Sequence, residues 1–190
     1  MSQEKIQEIL TTLKKRHEEN RLNYYEPYKF QKNFHEAGAD ANQRLLMAAN
    51  RVGKSYVGAM EMSIHLTGLY PKWWTGKKFS KPIRAWVCGA SNETTRDICQ
   101  RELFGQPDNP RDKGKGSIPK HLIGETTRKP GVPNAHSSVL VQHSSGGWSR
   151  VAFKAYEMGA EKFMGESIDL VWLDEEPSQE IYSQCITRTL

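Results

Sequence analysis

The sequence predicts an α/β fold in which helices flank a mainly parallel β-sheet. Two short apolar runs, residues 45–49 and 168–173, have the length and composition of buried strands. The first run is followed by a tight loop and then by a helical pattern over residues 56–66. A further predicted strand at 83–89 precedes a predicted helix at 94–104. Strands that alternate with helices in this way are typical of a parallel sheet.

The loop between the first strand and its helix, residues 48–55, reads Ala-Ala-Asn-Arg-Val-Gly-Lys-Ser. A strand, a loop and a helix in this order favour a P-loop NTPase fold, in which loop N–H groups and the helix N-terminus face nucleotide phosphates. Lys54 is predicted to reach the β- and γ-phosphates, and Ser55 to bind Mg²⁺. The predicted nucleotide contacts in this loop are Asn50, Arg51, Val52, Gly53, Lys54 and Ser55. Ala48 stands where the pattern has glycine, and a chance Gly-Lys-Ser tripeptide is the alternative.

The second apolar run ends abruptly in Asp174, Glu175 and Glu176, followed by Pro177. Carboxylates at the C-terminal tip of a parallel strand lie where ligands bind in open α/β sheets. Asp174 is therefore predicted to hold Mg²⁺, and Glu175 to act as general base on the water that attacks the γ-phosphate. Taken alone, the stretch would suit a solvated acidic helix start. Together with the P-loop, it predicts a nucleoside triphosphatase that uses ATP and Mg²⁺.

The composition is that of one soluble globular domain. The chain has 190 residues, of which 37% are hydrophobic and 26% charged, and no apolar run is long enough to span a membrane. The first residues lack the apolar core of a signal peptide. Cys88, Cys99 and Cys185 are too few and too widely spaced for a disulfide framework or a metal site, which favours a reducing cytoplasm.

Charge is distributed unevenly along the chain, whose net charge is +5. Residues 72–84 carry five basic side chains and no acid, and residues 111–129 carry six basic side chains against two acids. Residues 157–180 hold eight acids. Basic loops beside an acidic edge are compatible with a polyanionic partner, although on charge alone ordinary solvated loops are the simpler explanation.

Two features precede the P-loop. Residues 2–20 predict a helix with a narrow apolar stripe, which we expect to dock on the domain, with a partner-binding arm as the alternative. Residues 24–35 are dense in aromatic side chains and include Gln31. An amide can pair with an adenine edge, and aromatic rings can flank the base. A hydrophobic lid with Gln31 in solvent is an equal alternative.

The region after residue 104 contains one long loop and one hairpin. Residues 105–133 are rich in glycine, proline and charge, so we expect an excursion on the surface. Residues 139–142 and 148–156 flank a glycine-rich turn and predict a β-hairpin.

Four stretches together resemble a known family. They are Arg51 within the P-loop, Phe153-Lys154-Ala155-Tyr156-Glu157 with the later Phe163-Met164-Gly165, Val171-Trp172-Leu173-Asp174-Glu175-Glu176-Pro177, and Tyr28-Lys29-Phe30-Gln31. The first three look like the ATPase domain of the large terminase subunits of tailed bacteriophages. The fourth resembles the adenine-binding motif of that family, which favours Gln31 as a contact to the base.

The resemblance implies an ATP-driven motor that translocates double-stranded viral DNA into a procapsid in the host cytoplasm. It implies as partners double-stranded DNA, the portal protein, the small terminase subunit and further copies of the chain in a ring, and no membrane. It also implies that Arg51 stabilises transition-state charge, with a loop-shaping salt bridge as the alternative. A neighbouring subunit would supply another arginine, and its candidates are Arg96, Arg101 and Arg150.

The sequence ends at Leu190, before the coupling motif and the metal-dependent nuclease domain that the family has. We therefore expect an N-terminal helix or arm over residues 1–22 and an incomplete ATPase domain over residues 23–190. The resemblance implies that this domain lacks a central strand and has no nuclease activity. Two alternatives stay open: another DNA-dependent ATPase such as a helicase, and an inactive nucleotide-binding remnant with a role in assembly.

Overall fold

The computed structural model describes residues 3–49 and 51–189, in which helices cover both faces of a five-stranded sheet. The strands are β1 (Arg84–Gly89), β2 (Ile123–Arg128), β3 (His136–Gln142), β4 (Trp148–Ala155) and β5 (Leu170–Leu173). The α-helices are α1 (Gln3–Glu19), α2 (Lys29–Glu36), α3 (Lys54–Thr67), α4 (Asn92–Thr94), α5 (Arg101–Phe104) and α6 (Gln179–Arg188), and a π-helix at Thr95–Gln100 joins α4 to α5. Short 3₁₀ helices lie at Arg21–Tyr24, Ala37–Ala39, Pro110–Asp112, Lys120–Leu122, Tyr156–Met158 and Ala160–Phe163.

The strand order in the sheet is β2-β3-β4-β1-β5. β1 is parallel to both β4 and β5, whereas β3 is antiparallel to β2 and β4. The α/β class is thus confirmed, but the prediction of a mainly parallel sheet is wrong because half of the sheet is antiparallel. The reason is local: the predicted hairpin forms as β3 and β4, and its glycine-rich turn reverses the chain.

The prediction of a buried strand at residues 45–49 is wrong. This segment has no regular secondary structure and pairs with no strand of the described chain, and Leu45 and Met47 are each 82% exposed. An apolar run becomes a strand only where a neighbour supplies backbone hydrogen bonds and a covering layer. Both edges of β1 are occupied by β4 and β5, and residues 45–49 do not pair with the outer edge of β5 either.

The prediction that residues 105–133 form a long surface loop is also wrong in part. Ser117 and Ile118 are fully buried, and their N–H groups donate to the carbonyls of Glu102 and Leu103 at 2.8 and 2.9 Å. Further on, the chain adds β2 to the free edge of β3. The glycines and prolines of this region therefore shape turns within a packed segment.

β1 shows how the core is divided between the two faces of the sheet. Ala85 and Val87 face the layer that contains α3 and α5, whereas Trp86 and Cys88 face the layer that contains α6. This alternation follows from the two-residue period of a strand. β1 is buried on both faces, and the C-terminal ends of β1, β4 and β5 meet at one edge.

α1 confirms the predicted N-terminal helix but not its docking. All of its residues are exposed, including the apolar stripe formed by Ile6, Ile9, Leu10 and Leu13. No helix among the described residues is long and apolar enough to cross a membrane.

Candidate nucleotide and metal site

The chain turns sharply into α3 through two residues in the left-handed region of backbone space. Arg51 has φ of +64° and Gly53 has φ of +90°, and α3 begins at Lys54. Asn50 lies outside the described residues. The first N–H groups of a helix have no partner within the helix, so the start of α3 offers donors to an anion. The predicted helix at residues 56–66 is confirmed as part of α3, which is followed by Gly68 with φ of +67°.

Three of the predicted site residues converge at the start of α3. The Ser55 hydroxyl donates to Oδ1 of Asp174 over 3.2 Å, although 119 residues separate the two in sequence. The Lys54 ammonium donates to the carbonyls of Ala48 at 2.7 Å and Ala49 at 3.4 Å. Burial raises the pKa of Asp174; the hydrogen bond from Ser55 opposes this, and the charge of Glu175 adds to it.

Close packing between α3 and β5 brings Ser55 and Asp174 together. Gly58, one turn after Ser55, lies against the indole of Trp172, which precedes Asp174 by two residues. The Asp174 N–H donates to the Cys88 carbonyl at 2.8 Å, which extends the β1–β5 ladder to the carboxylate. The predicted strand at residues 168–173 is confirmed over Leu170–Leu173.

Glu175 follows in a strained backbone conformation, with φ of +65° and an exposed side chain. Such a conformation costs a non-glycine residue about 1 kcal/mol or more, and it persists only where the surroundings enforce it. Here the enforcing group is Tyr156, whose hydroxyl lies 3.0 Å from the Asp174 carbonyl and 3.2 Å from the Glu175 carbonyl. Burial raises the pKa of Tyr156, so the phenol stays protonated and donates. Sequence reasoning missed this residue as part of the site.

A cleft of about 400 Å³ opens beside the loop. It is lined by the aromatic residues Tyr24, Tyr25, Tyr28 and Tyr56, and by Glu26, Gln31, Arg51, Val52 and Gly53. Gln31 is only 3% exposed, so the alternative that places it in solvent is wrong. Its Oε1 accepts a hydrogen bond from the Tyr28 N–H at 2.9 Å, which leaves the amide NH₂ group to donate.

Sequence reasoning also missed a polar cluster behind the cleft, formed by the buried residues His35, Glu61 and His65 and the half-buried Arg44. A signal was present. Glu61 and His65 are four residues apart among the apolar residues of the predicted helix, and polar residues buried at that spacing usually bond to each other or to a common partner.

The candidates for an arginine acting in a neighbouring subunit remain undistinguished. Arg96 and Arg101 pair with the adjacent Asp97 and Glu102, and Arg150 is exposed on β4. The five basic side chains of residues 72–84 are all exposed.

Comparisons with known proteins agree on one family. The family described as the N-terminal part of the T4likevirus-type terminase large subunit matches residues 45–190. The terminase large subunit of Salmonella phage P22 is 38% identical over 211 aligned positions, which cover 100% of this chain and 42% of that protein. The chain thus spans about two-fifths of the length of this relative.

A solved structure shows the same fold. The large terminase ATPase domain of Thermus phage P74-26 superposes with a TM-score of 0.56 at 18% identity, over 88% of this chain and 63% of that one. Because the family match extends over most of the chain, the resemblance stated from the motifs is confirmed. The chain belongs to the large terminase family and corresponds to the N-terminal part of its members.

Proposed function

We propose that the chain is the ATP-hydrolysing part of a DNA-packaging motor, with the geometry of a P-loop NTPase at the start of α3. The observation that carries the proposal is the contact between Ser55 and Asp174. It joins a hydroxyl at a loop–helix junction to a carboxylate at the tip of a parallel strand. This pairing suits the oxygen ligands that Mg²⁺ takes when it is bound together with nucleotide phosphates.

The residues present fit a Mg²⁺ ion. Mg²⁺ is commonly held by one or two protein oxygens, with waters and phosphate oxygens completing its shell. Ser55 Oγ and Asp174 Oδ1 would supply those protein oxygens. When bound there, the ion would offset the negative charge that builds up on the phosphate oxygens.

The loop residues would bind and neutralise the phosphates. Lys54 is held by two loop carbonyls, so its ammonium already lies at the loop. Charged phosphate oxygens attract an ammonium more strongly than neutral carbonyls do. They would therefore replace these carbonyls as the acceptors of Lys54. Arg51 lines the cleft with an exposed side chain and would stabilise charge on the transferred phosphoryl group. Val52 and Gly53, with Asn50, would contribute backbone contacts.

Glu175 would act as the general base. Its carboxylate is exposed beside Asp174, and its backbone is fixed by Tyr156. A base must be both accessible and correctly oriented in order to accept a proton from water. Gln31, whose NH₂ group is oriented by the bond from Tyr28, would donate to an acceptor on the adenine base.

The packaging role is proposed from the family and from the charge distribution. The relative from phage P22 is a terminase large subunit, and residues 72–84 present five exposed basic side chains. We propose double-stranded DNA as the polyanion, with the portal protein, the small subunit and a ring of copies as further partners in the host cytoplasm. Neutralising Lys77, Lys78 and Lys81 together should reduce the slope of log K against log salt by about three. An unchanged slope would remove this segment from the DNA interface.

The catalytic assignment is tested by ATP hydrolysis with purified chain. Glu175→Gln should lower kcat by at least about a hundredfold and leave ATP binding intact. Glu176→Gln, which removes the neighbouring exposed carboxylate, is the matched control and should hydrolyse like the unmodified chain. Lys54→Ala should weaken nucleotide binding, and chelation of Mg²⁺ should abolish turnover.

The outcomes separate the alternatives. Turnover that depends on Mg²⁺, Lys54 and Glu175 supports a self-sufficient ATPase. Lys54-dependent binding without turnover would favour the assembly role. Equal losses in the Glu175 and Glu176 variants would contradict the general-base assignment.

A further inference from the structure

A buried ionic cluster lies behind the cleft, centred on the Glu61 carboxylate of α3, which is 6% exposed. Glu61 Oε2 is hydrogen-bonded to Nδ1 of His35, a fully buried residue of α2. Glu61 Oε1 accepts a hydrogen bond from Arg44 at 2.6 Å and is also hydrogen-bonded to Nε2 of His65 at 3.1 Å. We call His35, Arg44, Glu61 and His65 the Glu61 cluster.

The cluster joins the segments that carry the cleft. His35 lies four residues after Gln31 on the same face of α2, and both side chains are buried. Glu61 lies about two turns after Lys54 on α3. Arg44 lies at the start of the irregular segment that enters the loop. Glu61 therefore connects the helix of the predicted base contact to the helix of the predicted phosphate contacts.

Two further contacts hold α2 in place. His35 Nε2 is hydrogen-bonded at 2.9 Å to the hydroxyl of Tyr25, whose ring lines the cleft. Arg44 also donates to the Phe34 carbonyl at 2.9 Å, and its guanidinium lies 4.8 Å from the centre of the Phe34 ring. The position of α2 is thus fixed through both neighbouring residues, 34 and 35.

An ionic cluster fixes the relative orientation of its side chains, which an apolar contact would not do. Burial alone would raise the pKa of Glu61, but hydrogen bonds from His35 and His65 and the charge of Arg44 lower it, so the carboxylate stays ionised. Burying such charges costs free energy that apolar side chains of similar volume would avoid. In return, each hydrogen bond fixes a distance and an orientation between its partners.

We propose that Glu61 is a positioning residue for base recognition, which through His35 sets the distance between Gln31 and the loop at Gly53. The proposal rests on the proposed nucleotide site. A β-carbon at Gly53 would lie 3.4 Å from Gln31 Nε2, so the base-facing amide and the loop are nearly in contact. A small shift of α2 would therefore misalign the amide with an adenine base whose phosphates are fixed in the loop. We expect a triphosphate with a pyrimidine base to be held mainly by the loop, so its binding should not change with such a shift.

The test is the effect of Glu61→Gln on the kinetics of ATP and CTP hydrolysis by the full chain. We expect KM for ATP to rise about tenfold, as for the loss of one good hydrogen bond. KM for CTP and kcat for both nucleotides should change by less than about twofold, because the loop and Glu175 are untouched. The preference for ATP over CTP would therefore largely disappear.

Two histidine variants separate positioning from stability. His35→Gln removes the direct bond between Glu61 and α2 and keeps the Arg44 and His65 contacts. It should therefore reproduce the loss of preference, and it serves as the test if Glu61→Gln does not fold. His65→Leu removes a bond on the far side of Glu61, where His65 also bonds Tyr70 at 3.1 Å. It should lower the melting temperature without changing the preference.

Three results would overturn the inference. They are an unchanged preference in folded His35→Gln, an equal loss of preference in His65→Leu, and an unmodified chain that binds ATP and CTP equally well. A chain that binds neither nucleotide would instead refute the proposed function itself.

Discussion

Gly58 of α3 and Trp172 of β5 are packed so closely that a β-carbon on residue 58 would lie 2.5 Å from the indole ring. Alanine is a better helix former than glycine, so a glycine within a helix is expected where there is no room for a methyl group. Here the absence of a side chain lets α3 approach β5. That approach places Ser55 beside Asp174.

Gly58→Ala should therefore destabilise the domain. The steric cost of overpacking, about 1–3 kcal/mol, should exceed the gain in helix propensity of about 1 kcal/mol. In a Trp172→Leu background, which removes the indole, the same substitution should be neutral or stabilising. Chemical denaturation of the four variants would measure this reversal of sign. An identical effect in both backgrounds would show that the indole does not impose the glycine.

Tyr156→Phe should lower kcat for ATP by about tenfold and leave KM within about twofold, because misplacing a catalytic group costs rate more than binding. The variant loses only the hydroxyl that donates to the carbonyls of Asp174 and Glu175. Tyr182→Phe is the control, since Tyr182 is an exposed residue of α6 whose hydroxyl donates to Gln43. Equal effects of both variants on kcat would argue against a specific role in orienting Glu175.

The free energy of unfolding should fall as the pH drops below the ordinary histidine range, in part because of His136. Burial, together with the charges of Lys113 and Arg128, lowers the pKa of His136 below its ordinary value of 6.5. Its Nδ1 is buried and has no hydrogen-bond partner among the described residues. The unfolded chain therefore binds a proton more readily than the folded one, and stability is lost as the pH falls through 6.5.

His136→Leu should flatten that dependence. Between about pH 7 and pH 5, the variant should lose less stability than the unmodified chain, as measured by urea denaturation at each pH. Parallel curves for the two proteins would exclude His136 as a source of the pH dependence.

Removing residues 1–19 should change the free energy of unfolding by less than about 0.5 kcal/mol, because exposed residues contribute little to stability. All residues of α1 are exposed, and the buried core begins with Leu22. Thermal unfolding of the shortened chain would measure the difference. A large loss would mean that the apolar stripe of α1 is covered in solution.

The sequence was most informative where a motif and its flanking pattern agreed. The glycine, lysine and hydroxyl of the loop predict a helix start, and Gly53, Lys54 and Ser55 form one. Asp174 lies at the tip of a parallel strand as the apolar run before it predicts. In both cases the motif and the hydrophobic pattern predict the same backbone conformation. The prediction therefore does not depend on contacts with distant parts of the chain.

Local sequence does not predict the pairing of residues 45–49 or the contacts of Glu61. The apolar run at 45–49 has strand composition, but it pairs with no strand among the described residues. Pairing is decided by the arrangement of the whole sheet, which the run itself does not encode. Glu61 reads as one charged residue in a helix, and its partners His35 and Arg44 come from other segments. The location of the candidate site could be predicted, but the contacts that orient it could not.

The position of β1 in the sheet also determines when the protein can fold. β1 ends at Gly89, but its two neighbours begin only at Trp148 and Leu170. Ribosomes add roughly 5–20 residues per second. During synthesis, β1 therefore stays unpaired until the segments of β4 and β5 have been made. Contacts between such distant segments also make folding slow, since a long loop closes before either pairing forms. We expect the newly made chain to depend on chaperones more than a domain of the same size built from hairpins.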